Sequence, residues 1–352
     1  MIRKSKFYSY IIVLIFILLI IVFPDISSNG VSRGLLISAN VIIPSLFPFM
    51  ICVLMLIKSG FSINNRVVNK VLYVVFGHSF DMFFAFLLSM LGGYPIGARL
   101  INEMYKQNAI DKKTANIMLM YCVNAGPAFI ISVVGNGLYN SRKIGIVLLV
   151  SHIATSIFMA IYCGRLLKKH NCQYKSTIKS SKNFSEIFVE SVSDSSSAIL
   201  QICCFVILFS AVNSYFDLFF GNMSIIKYVS FFTEVTYAIT KTKNIFFISF
   251  LLGFSGLSIW CQIFAMSSGR KINYFKFCFV RILHGIISSL LTKILIKVFK
   301  VEISTFNNNV DIINSVFYSN ITISISLAIM LIVLLVFMYT KNSSGKFIKD
   351  VI

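Results

Sequence analysis

Apolar runs of about 20 residues recur from one end of this chain to the other, and each is long enough to cross a lipid bilayer. Only helices and closed barrels can span hydrocarbon, because every backbone polar group there needs a partner. The strict alternation of a barrel strand is absent. Charged residues make up 12% of the 352 residues, where a soluble domain carries about 25%. The sequence therefore predicts an all-α, polytopic membrane protein with about 8 transmembrane helices.

The net charge of +20 fits a membrane protein better than a nucleic-acid-binding protein. Lys and Arg lie in short loops between apolar runs, which is the positive-inside pattern. No stripe of base-stacking aromatic residues accompanies them, as a single-strand binder requires. The lipid bilayer is the predicted partner, and nucleic acid is excluded. The N-terminus, the basic linker and the C-terminal tail are expected on the cytoplasmic side.

The eight cysteines and four histidines show no metal-ligand spacing. Most of the cysteines lie inside apolar runs, where they serve as small packing residues. The sequence therefore predicts neither a metal site nor a cofactor.

Hydropathy and loop charge divide the chain into five stretches. These are N-terminal transmembrane helices (1–57), a first repeat (58–164), a basic cytoplasmic linker (165–185), a second repeat (186–300), and an external loop with a last span and a cytoplasmic tail (301–352). Each repeat contains one hairpin-like broken segment and one span broken by glycine and a polar residue. That outline, with its re-entrant or broken helices, is typical of two inverted-repeat-like halves in a transporter.

Two segments are expected to lie outside the spans. Residues 24–29 carry Asp25 and no cation, so we expect an external turn there, followed by a span over 34–57. Residues 184–197 carry Glu186, Glu190 and Asp194 among apolar residues. We expect a separate amphipathic helix at the membrane interface there.

Glycine and proline interrupt the apolar stretches at three main places. They are Gly92-Gly93-Tyr94-Pro95-Ile96-Gly97-Ala98-Arg99, Asn124-Ala125-Gly126-Pro127 and Gly253-Phe254-Ser255-Gly256-Leu257-Ser258. Such breaks free backbone groups that lipid cannot satisfy. We therefore expect segments 71–98 and 228–262 to contain non-helical turns that face the protein interior. Breaks of this kind hold solutes in transporters, although a plain surface loop is the simpler alternative.

Several polar residues beside these breaks are candidates for solute binding. Arg99 could clamp a carboxylate, or it could anchor the chain at the interface. Tyr94 could stack on a planar solute or sit at the interface, and Asn124 could bind a solute or join two helices. Glu234 could bind a coupling proton or cation, bind a polar solute group, or lie on a short external helix. The complete predicted binding set is Gly93, Tyr94, Pro95, Arg99, Asn124, Gly126, Glu234, Thr236, Ser255, Gly256, Ser258 and Gln262.

A third class of function rests on Gly253-Phe254-Ser255-Gly256, which has the form of an intramembrane serine hydrolase motif, with His284 as the base. His284 does not lie in the histidine motif of that class, and a tetrapeptide carries little weight without its structural context. We therefore expect no enzymatic activity. A scaffold that transports nothing ranks between the transporter and the hydrolase.

The ordered set of motifs resembles a known family. The residues that carry the resemblance are Ile43-Pro44-Ser45-Leu46-Phe47-Pro48-Phe49, Gly93-Tyr94-Pro95-Ile96-Gly97-Ala98-Arg99, Asn124-Ala125-Gly126-Pro127, Glu234-Val235-Thr236 and Gly253-Phe254-Ser255-Gly256-Leu257-Ser258. They resemble the stage-V sporulation integral membrane proteins, whose halves are nucleoside-recognition (gate) domains. The resemblance implies distant similarity to concentrative nucleoside transporters and a place in the bacterial mother-cell membrane around the forespore. It also implies a small planar anionic solute, with dipicolinate as the suspected cargo.

Overall fold

The computed structural model describes residues 2–59, 66–77, 79–169, 183–221, 231–267 and 272–302. Within these ranges the regular secondary structure is helical throughout, which confirms the all-α prediction. Two helical segments have the wider π geometry: π1 (Ser38–Ile42) and π2 (Phe129–Leu138). The α-helices are α1 (Ile2–Val22), α2 (Pro24–Ile37), α3 (Ile43–Lys58), α4 (Arg66–Phe76), α5 (Phe80–Gly92), α6 (Tyr94–Lys106), α7 (Lys112–Tyr121), α8 (Arg142–Lys169), α9 (Phe184–Phe220), α10 (Val235–Lys241), α11 (Ile245–Phe254), α12 (Gly256–Met266) and α13 (Tyr274–Val298).

Four helical units in the described ranges are long and apolar enough to cross a membrane: α8, α9, the α11–α12 pair and α13. Two bent pairs raise the number to 6 if each forms one span. These are α1 with α2, bent by 102°, and α4 with α5, bent by 66°. The predicted last span, within 301–352, lies outside the described residues, as does most of the 165–185 linker.

The N-terminal region differs from the sequence-based expectation. Residues 24–29 form the start of α2 rather than an external turn. Pro24 is the first residue of that helix, where a missing N–H costs nothing. Gly30 and Gly34 then bring α2 directly onto α9, since a Cβ at Gly34 would lie 2.6 Å from the Cα of Ile207. Helices that carry small residues four apart can approach this closely in membranes.

The expected span over 34–57 is also not a single α-helix. The π1 segment follows α2 at Ser38–Ile42, and α3 then contains Pro48 in its interior. Proline removes a backbone donor and is a common cause of bends in helices. Helix α3 nevertheless runs through Pro48 and ends at Lys58.

Helix α9 also differs from the sequence-based expectation. Residues 184–197 do not form a separate interfacial helix but are the first part of a continuous helix of 37 residues. Asn183 and Glu186 form a capping box at its start. Glu190 and Asp194 lie four residues apart on one helical face, where they meet cations from α3 and α6. These long-range ion pairs explain why acidic residues are compatible with a continuous apolar helix here.

Two glycine pairs allow close contacts between neighbouring helices. A Cβ on Gly135 in π2 would lie 2.6 Å from the Cα of Gly145 in α8. A Cβ on Gly253 in α11 would likewise lie 2.6 Å from the Cα of Gly285 in α13. Buried hydroxyl groups strengthen the second contact, with Ser249 Oγ 3.0 Å from Ser288 Oγ. These crossings hold each broken helix against the long helix that follows it.

Candidate functional site

Four helix breaks meet in the buried part of the protein, and we call the place where they meet the break junction. The breaks are Gly93 between α5 and α6, residues 122–126 between α7 and π2, Glu234 before α10, and Ser255 between α11 and α12. The first two touch, because a Cβ on Gly93 would lie 3.5 Å from the backbone N of Gly126. The last two touch as well, because a Cβ on Gly256 would lie 3.5 Å from the backbone N of Val235.

Tyr94 joins the first pair of breaks to the second. Its hydroxyl donates a hydrogen bond of 2.7 Å to the carbonyl of Leu252 in α11, and the side chain is buried. The Tyr94 ring is therefore buried in the protein core beside α11. The sequence brings Tyr94 to this position because Gly93 (φ 89°) and Pro95 end one helix and begin the next.

Gly97 shows how tightly the first two breaks are packed. A Cβ at Gly97 would lie 1.7 Å from the carbonyl oxygen of Cys122. The first turn of α6 therefore rests on the backbone where α7 ends, at residues 122–126. No larger residue fits at this position without moving one of the two breaks.

Asn124 satisfies the second break through its side chain. Its Nδ2 donates to Ser89 Oγ at 3.3 Å and to the Tyr121 carbonyl at 2.9 Å. Its Oδ1 accepts from Ser156 Oγ at 2.6 Å. The next backbone N–H, of Ala125, donates to Nε2 of His152 at 3.0 Å. Asn124 thus joins α5, α7 and α8, the helix-joining role that is one of the two expectations for this residue.

Glu234 caps a short helix from inside the protein. Both carboxylate oxygens accept backbone hydrogen bonds, from Thr236 at 2.9 Å and from Tyr237 at 2.5 Å. The residue is 7% exposed, so it is not on the surface of an external helix. A carboxylate is favoured at this helix N-terminus by the free N–H groups there.

The fourth break has unusual backbone geometry. Ser255 and Gly256 are both left-handed, with φ values of 71° and 76°. A serine in this region is uncommon and is often associated with function. Trp260 stabilises the turn by donating to the carbonyl of Phe254 at 2.9 Å and to Ser255 Oγ at 3.2 Å. Ser258 and Gln262 are buried on the next helix and contact each other at 3.4 Å.

Sequence reasoning missed the most unusual group at the junction. Arg281 of α13 is completely buried, and its guanidinium donates to the carbonyl of Gly253 and, at 3.3 Å, to Nδ1 of His284. The ring of His284 lies 4.8 Å from that of His152, centroid to centroid. The sequence does contain a signal for this group, since Arg281 and His284 lie three residues apart in an apolar run. Ionisable residues inside membrane spans are functional candidates by default.

Arg99 lies in a different group from Arg281. It pairs with Asp194 at 3.4 Å, and Lys58 pairs with Asp194 at 2.8 Å and with Glu190 at 3.3 Å. We call Lys58, Arg99, Glu190 and Asp194 the outer charge cluster. The carboxylate next to Arg99 thus comes from α9 of the same chain.

The serine hydrolase pair is not formed in this structure. Ser255 Oγ donates to the carbonyl of Phe254 at 2.6 Å, whereas Nδ1 of His284 accepts from Arg281. A nucleophile needs its base within hydrogen-bond reach, and these two groups have other partners. Across the described ranges, no group of three His, Cys, Asp or Glu residues is arranged to hold a metal ion.

Comparison with known proteins gives one informative similarity. The chain is 23% identical to the sporulation integral membrane protein YlbJ of Bacillus subtilis (strain 168), with 78% of each chain covered. No family model matches the sequence. No solved structure matches it either. The similarity and the apolar helices agree that this is an integral membrane protein.

Proposed function

We propose that this protein is a sporulation membrane protein that transports a small planar anion, dipicolinate, across the mother-cell membrane around the forespore. The observation that carries the proposal is the break junction, where four interrupted helices meet in the buried core. Secondary transporters bind their solutes at such discontinuous helices, because helix ends supply free donors and acceptors. A scaffold has no need of four breaks whose backbone groups meet at one place.

The arrangement of the two repeats supports the same proposal. Each repeat contributes two of the four breaks, followed by a long unbroken helix, α8 or α13. His152 is the eleventh residue of α8, counted from Arg142, and His284 is the eleventh of α13, counted from Tyr274. The two rings are in contact across the core. Equivalent residues that meet at a central axis are what two internal repeats around one solute site produce.

The sporulation context comes from the relative. YlbJ is by its name a sporulation integral membrane protein, and the similarity extends over 78% of each chain. A planar aromatic dicarboxylate suits a site made of helix ends and amides, because these groups donate hydrogen bonds to carboxylates. The proposed solute-binding set is Gly93, Tyr94, Asn124, Gly126, Ser255, Gly256, Ser258 and Gln262, together with Pro95 and Thr236, which help to shape the breaks.

Glu234 is the proposed coupling residue. A single proton on its carboxylate would remove one of the two acceptors that hold the N-terminus of α10. Proton binding would therefore loosen the third break, which touches the fourth break at Gly256. This gives a direct physical link between a bound proton and the shape of the solute site.

Uptake of radiolabelled dipicolinate into proteoliposomes tests the proposal. We expect uptake by the wild type above that of empty liposomes, stimulated by a proton gradient. Glu234→Gln should abolish the stimulation while the purified protein stays monodisperse. Glu103→Gln is the matched control, because Glu103 of α6 is half-buried, accepts a local hydrogen bond from Gln107 and lies outside the proposed binding set. Wild-type uptake equal to that of empty liposomes would favour the scaffold instead.

A further inference from the structure

The break junction contains a positive charge for which the described residues provide no ion-pair partner. Arg281 is 0% exposed, and within the described ranges no carboxylate forms an ion pair with its guanidinium. Glu234 is buried nearby in the same repeat, but both of its oxygens are held by the N-terminus of α10. A buried charge without a counter-charge is costly, and removing its partner is among the most destabilising changes in protein interiors.

The two neighbouring histidines do not supply the missing charge. His152 Nε2 accepts the N–H of Ala125, and His284 Nδ1 accepts from Arg281, since arginine can only donate. Each histidine is therefore bound through the lone pair of a neutral ring. The cluster of Arg281, His284 and His152 thus carries one net positive charge in the buried core.

The Arg281 guanidinium also has an N–H group without an acceptor among the described residues. Of its five N–H groups, the structure uses one toward the Gly253 carbonyl and one toward His284. Arg281 Nε has no acceptor among the described residues, and the same holds for Nδ1 of His152. Both atoms are buried polar groups, and most buried polar groups in proteins have a hydrogen-bond partner, either in the protein or in an ordered water.

We propose that Arg281 is the anion-binding residue of the solute site and that it takes one carboxylate of the transported anion. The inference rests on the proposed transport function and names the residue that recognises the charge. A carboxylate against the Nε edge of the guanidinium would supply both the missing negative charge and the missing acceptor. Because Arg281 is completely covered here, the anion enters when the helices around the junction move apart, as alternating access requires.

The position of Arg281 couples this binding to the fourth break. Its guanidinium holds the carbonyl of Gly253, the last turn of α11 before the left-handed Ser255. Tyr94 holds the preceding carbonyl, that of Leu252, from the first repeat. A carboxylate that draws the guanidinium toward itself therefore changes the hydrogen bonding at the contact between the two repeats.

Ligand-dependent thermal stabilisation of the purified protein in detergent tests the inference. Trp260 is the only tryptophan of the chain and lies at the fourth break, so its fluorescence reports on the junction. Three probes are compared: dipicolinate, its uncharged diamide of the same planar shape, and benzoate. The variants are Arg281→Gln, which keeps an amide donor for the Gly253 carbonyl, Arg281→Lys, which keeps the charge, and Lys58→Gln, which removes a positive charge from the outer charge cluster, as the control.

We expect dipicolinate to bind the wild type better than the diamide does. Arg281→Gln should weaken dipicolinate binding by at least about 30-fold and leave diamide binding within about 3-fold, since only the charged contact is lost. Arg281→Lys should fall in between, because a point charge lacks the planar fork. Lys58→Gln should match the wild type, because Lys58 belongs to the outer charge cluster.

The outcomes separate this inference from the proposed function. If dipicolinate stabilises the wild type and Arg281→Gln equally, Arg281 is a structural cap and the inference is wrong, while transport stands. An equal loss of dipicolinate and diamide binding in Arg281→Gln would also contradict it, because a structural defect affects both probes. If benzoate binds through Arg281 but dipicolinate does not bind at all, the cargo is wrong and the anion site stands. A wild type that no carboxylate stabilises overturns both.

Discussion

The two groups of buried or half-buried charges in this protein, the outer charge cluster and the break junction, are built on opposite principles. The outer charge cluster has two cations, Lys58 and Arg99, and two carboxylates, Glu190 and Asp194, joined by three ion pairs. The break junction has Arg281, which is completely buried and has no ion-pair partner in the described ranges. The first group is balanced by its own carboxylates, whereas the described residues provide no carboxylate that pairs with Arg281.

The contrast extends to packing. The carboxylates of the outer charge cluster are about 40% exposed, at 41% and 39%, so their side chains can rearrange in contact with water or lipid headgroups. At the break junction, backbone meets backbone through glycines, and there is no room for a side chain at Gly97 or Gly253. A function that depends on geometry and charge belongs at the junction, and the outer charge cluster is the natural control for it.

The largest expected effect comes from adding one methyl group at the junction. Gly97→Ala should prevent correct packing of α6, because its Cβ would lie 1.7 Å from the carbonyl oxygen of Cys122. We expect a loss of about 3 kcal/mol or more in the free energy of unfolding. The yield of monodisperse protein by size-exclusion chromatography, and its melting followed by Trp260 fluorescence, measure this.

Gly126→Ala is the control for that substitution. It belongs to the second break, but its Cβ would lie 3.4 Å from the nearest atom, the backbone N of Gly93, which is close to an ordinary contact. The Gly126→Ala protein should fold and melt near the wild-type temperature. Normal folding of Gly97→Ala would mean that α6 does not pack as closely against Cys122 as the structure shows.

The breaks themselves could be predicted from the sequence, and the groups that satisfy them could not. Gly93, Pro95 and Gly256 mark the positions of the breaks directly. Proline lacks a backbone N–H donor, and glycine readily adopts a left-handed backbone, so both are unusual inside an apolar helix. The partners come from far along the chain. His152 lies 27 residues after Ala125, and Arg281 lies 28 residues after Gly253, so no local pattern connects them.

Helix α9 shows the same limit for charges. Glu190 and Asp194 looked like the polar face of an interfacial helix, because the sequence does not reveal that Lys58 and Arg99 meet that face. The position of Arg99 beside a helix break predicts that it binds the carboxylate of a solute. In the structure the carboxylate beside Arg99 is that of Asp194. The residue types at a helix break predict where a solute could bind. Ion pairing between distant helices decides which charged side chain already has a partner in the protein.

A second prediction removes an acceptor from the junction. His152→Leu should leave the Ala125 N–H buried without a partner and lower the free energy of unfolding by about 1–3 kcal/mol. His152→Gln, which keeps an acceptor of similar reach, should recover most of that loss. Melting temperatures of the two purified variants provide the measurement. Equal destabilisation by both would mean that the ring's packing, and not its lone pair, is what matters.

The smallest expected effect is at the outer charge cluster. Asp194→Asn removes the partner of Arg99 and one of the two partners of Lys58, which keeps Glu190. The Asp194 side chain is 39% exposed, and ion pairs with an exposed partner contribute only about 1 kcal/mol or less. The difference in melting temperature from the wild type should shrink further in high salt, which screens exposed charges. Glu302→Gln, at an exposed site after α13, is the control. An effect of Asp194→Asn as large as that of His152→Leu would remove the contrast between the two groups.

A structure determined with dipicolinate bound is the most direct test of the account. We predict density for a carboxylate within hydrogen-bond distance of the Arg281 guanidinium, with the aromatic ring among the four helix breaks. The outer charge cluster should keep its three ion pairs, with Asp194 still on Lys58 and Arg99. A carboxylate bound at Arg99 in place of Asp194, or at any site away from Arg281, would contradict the account.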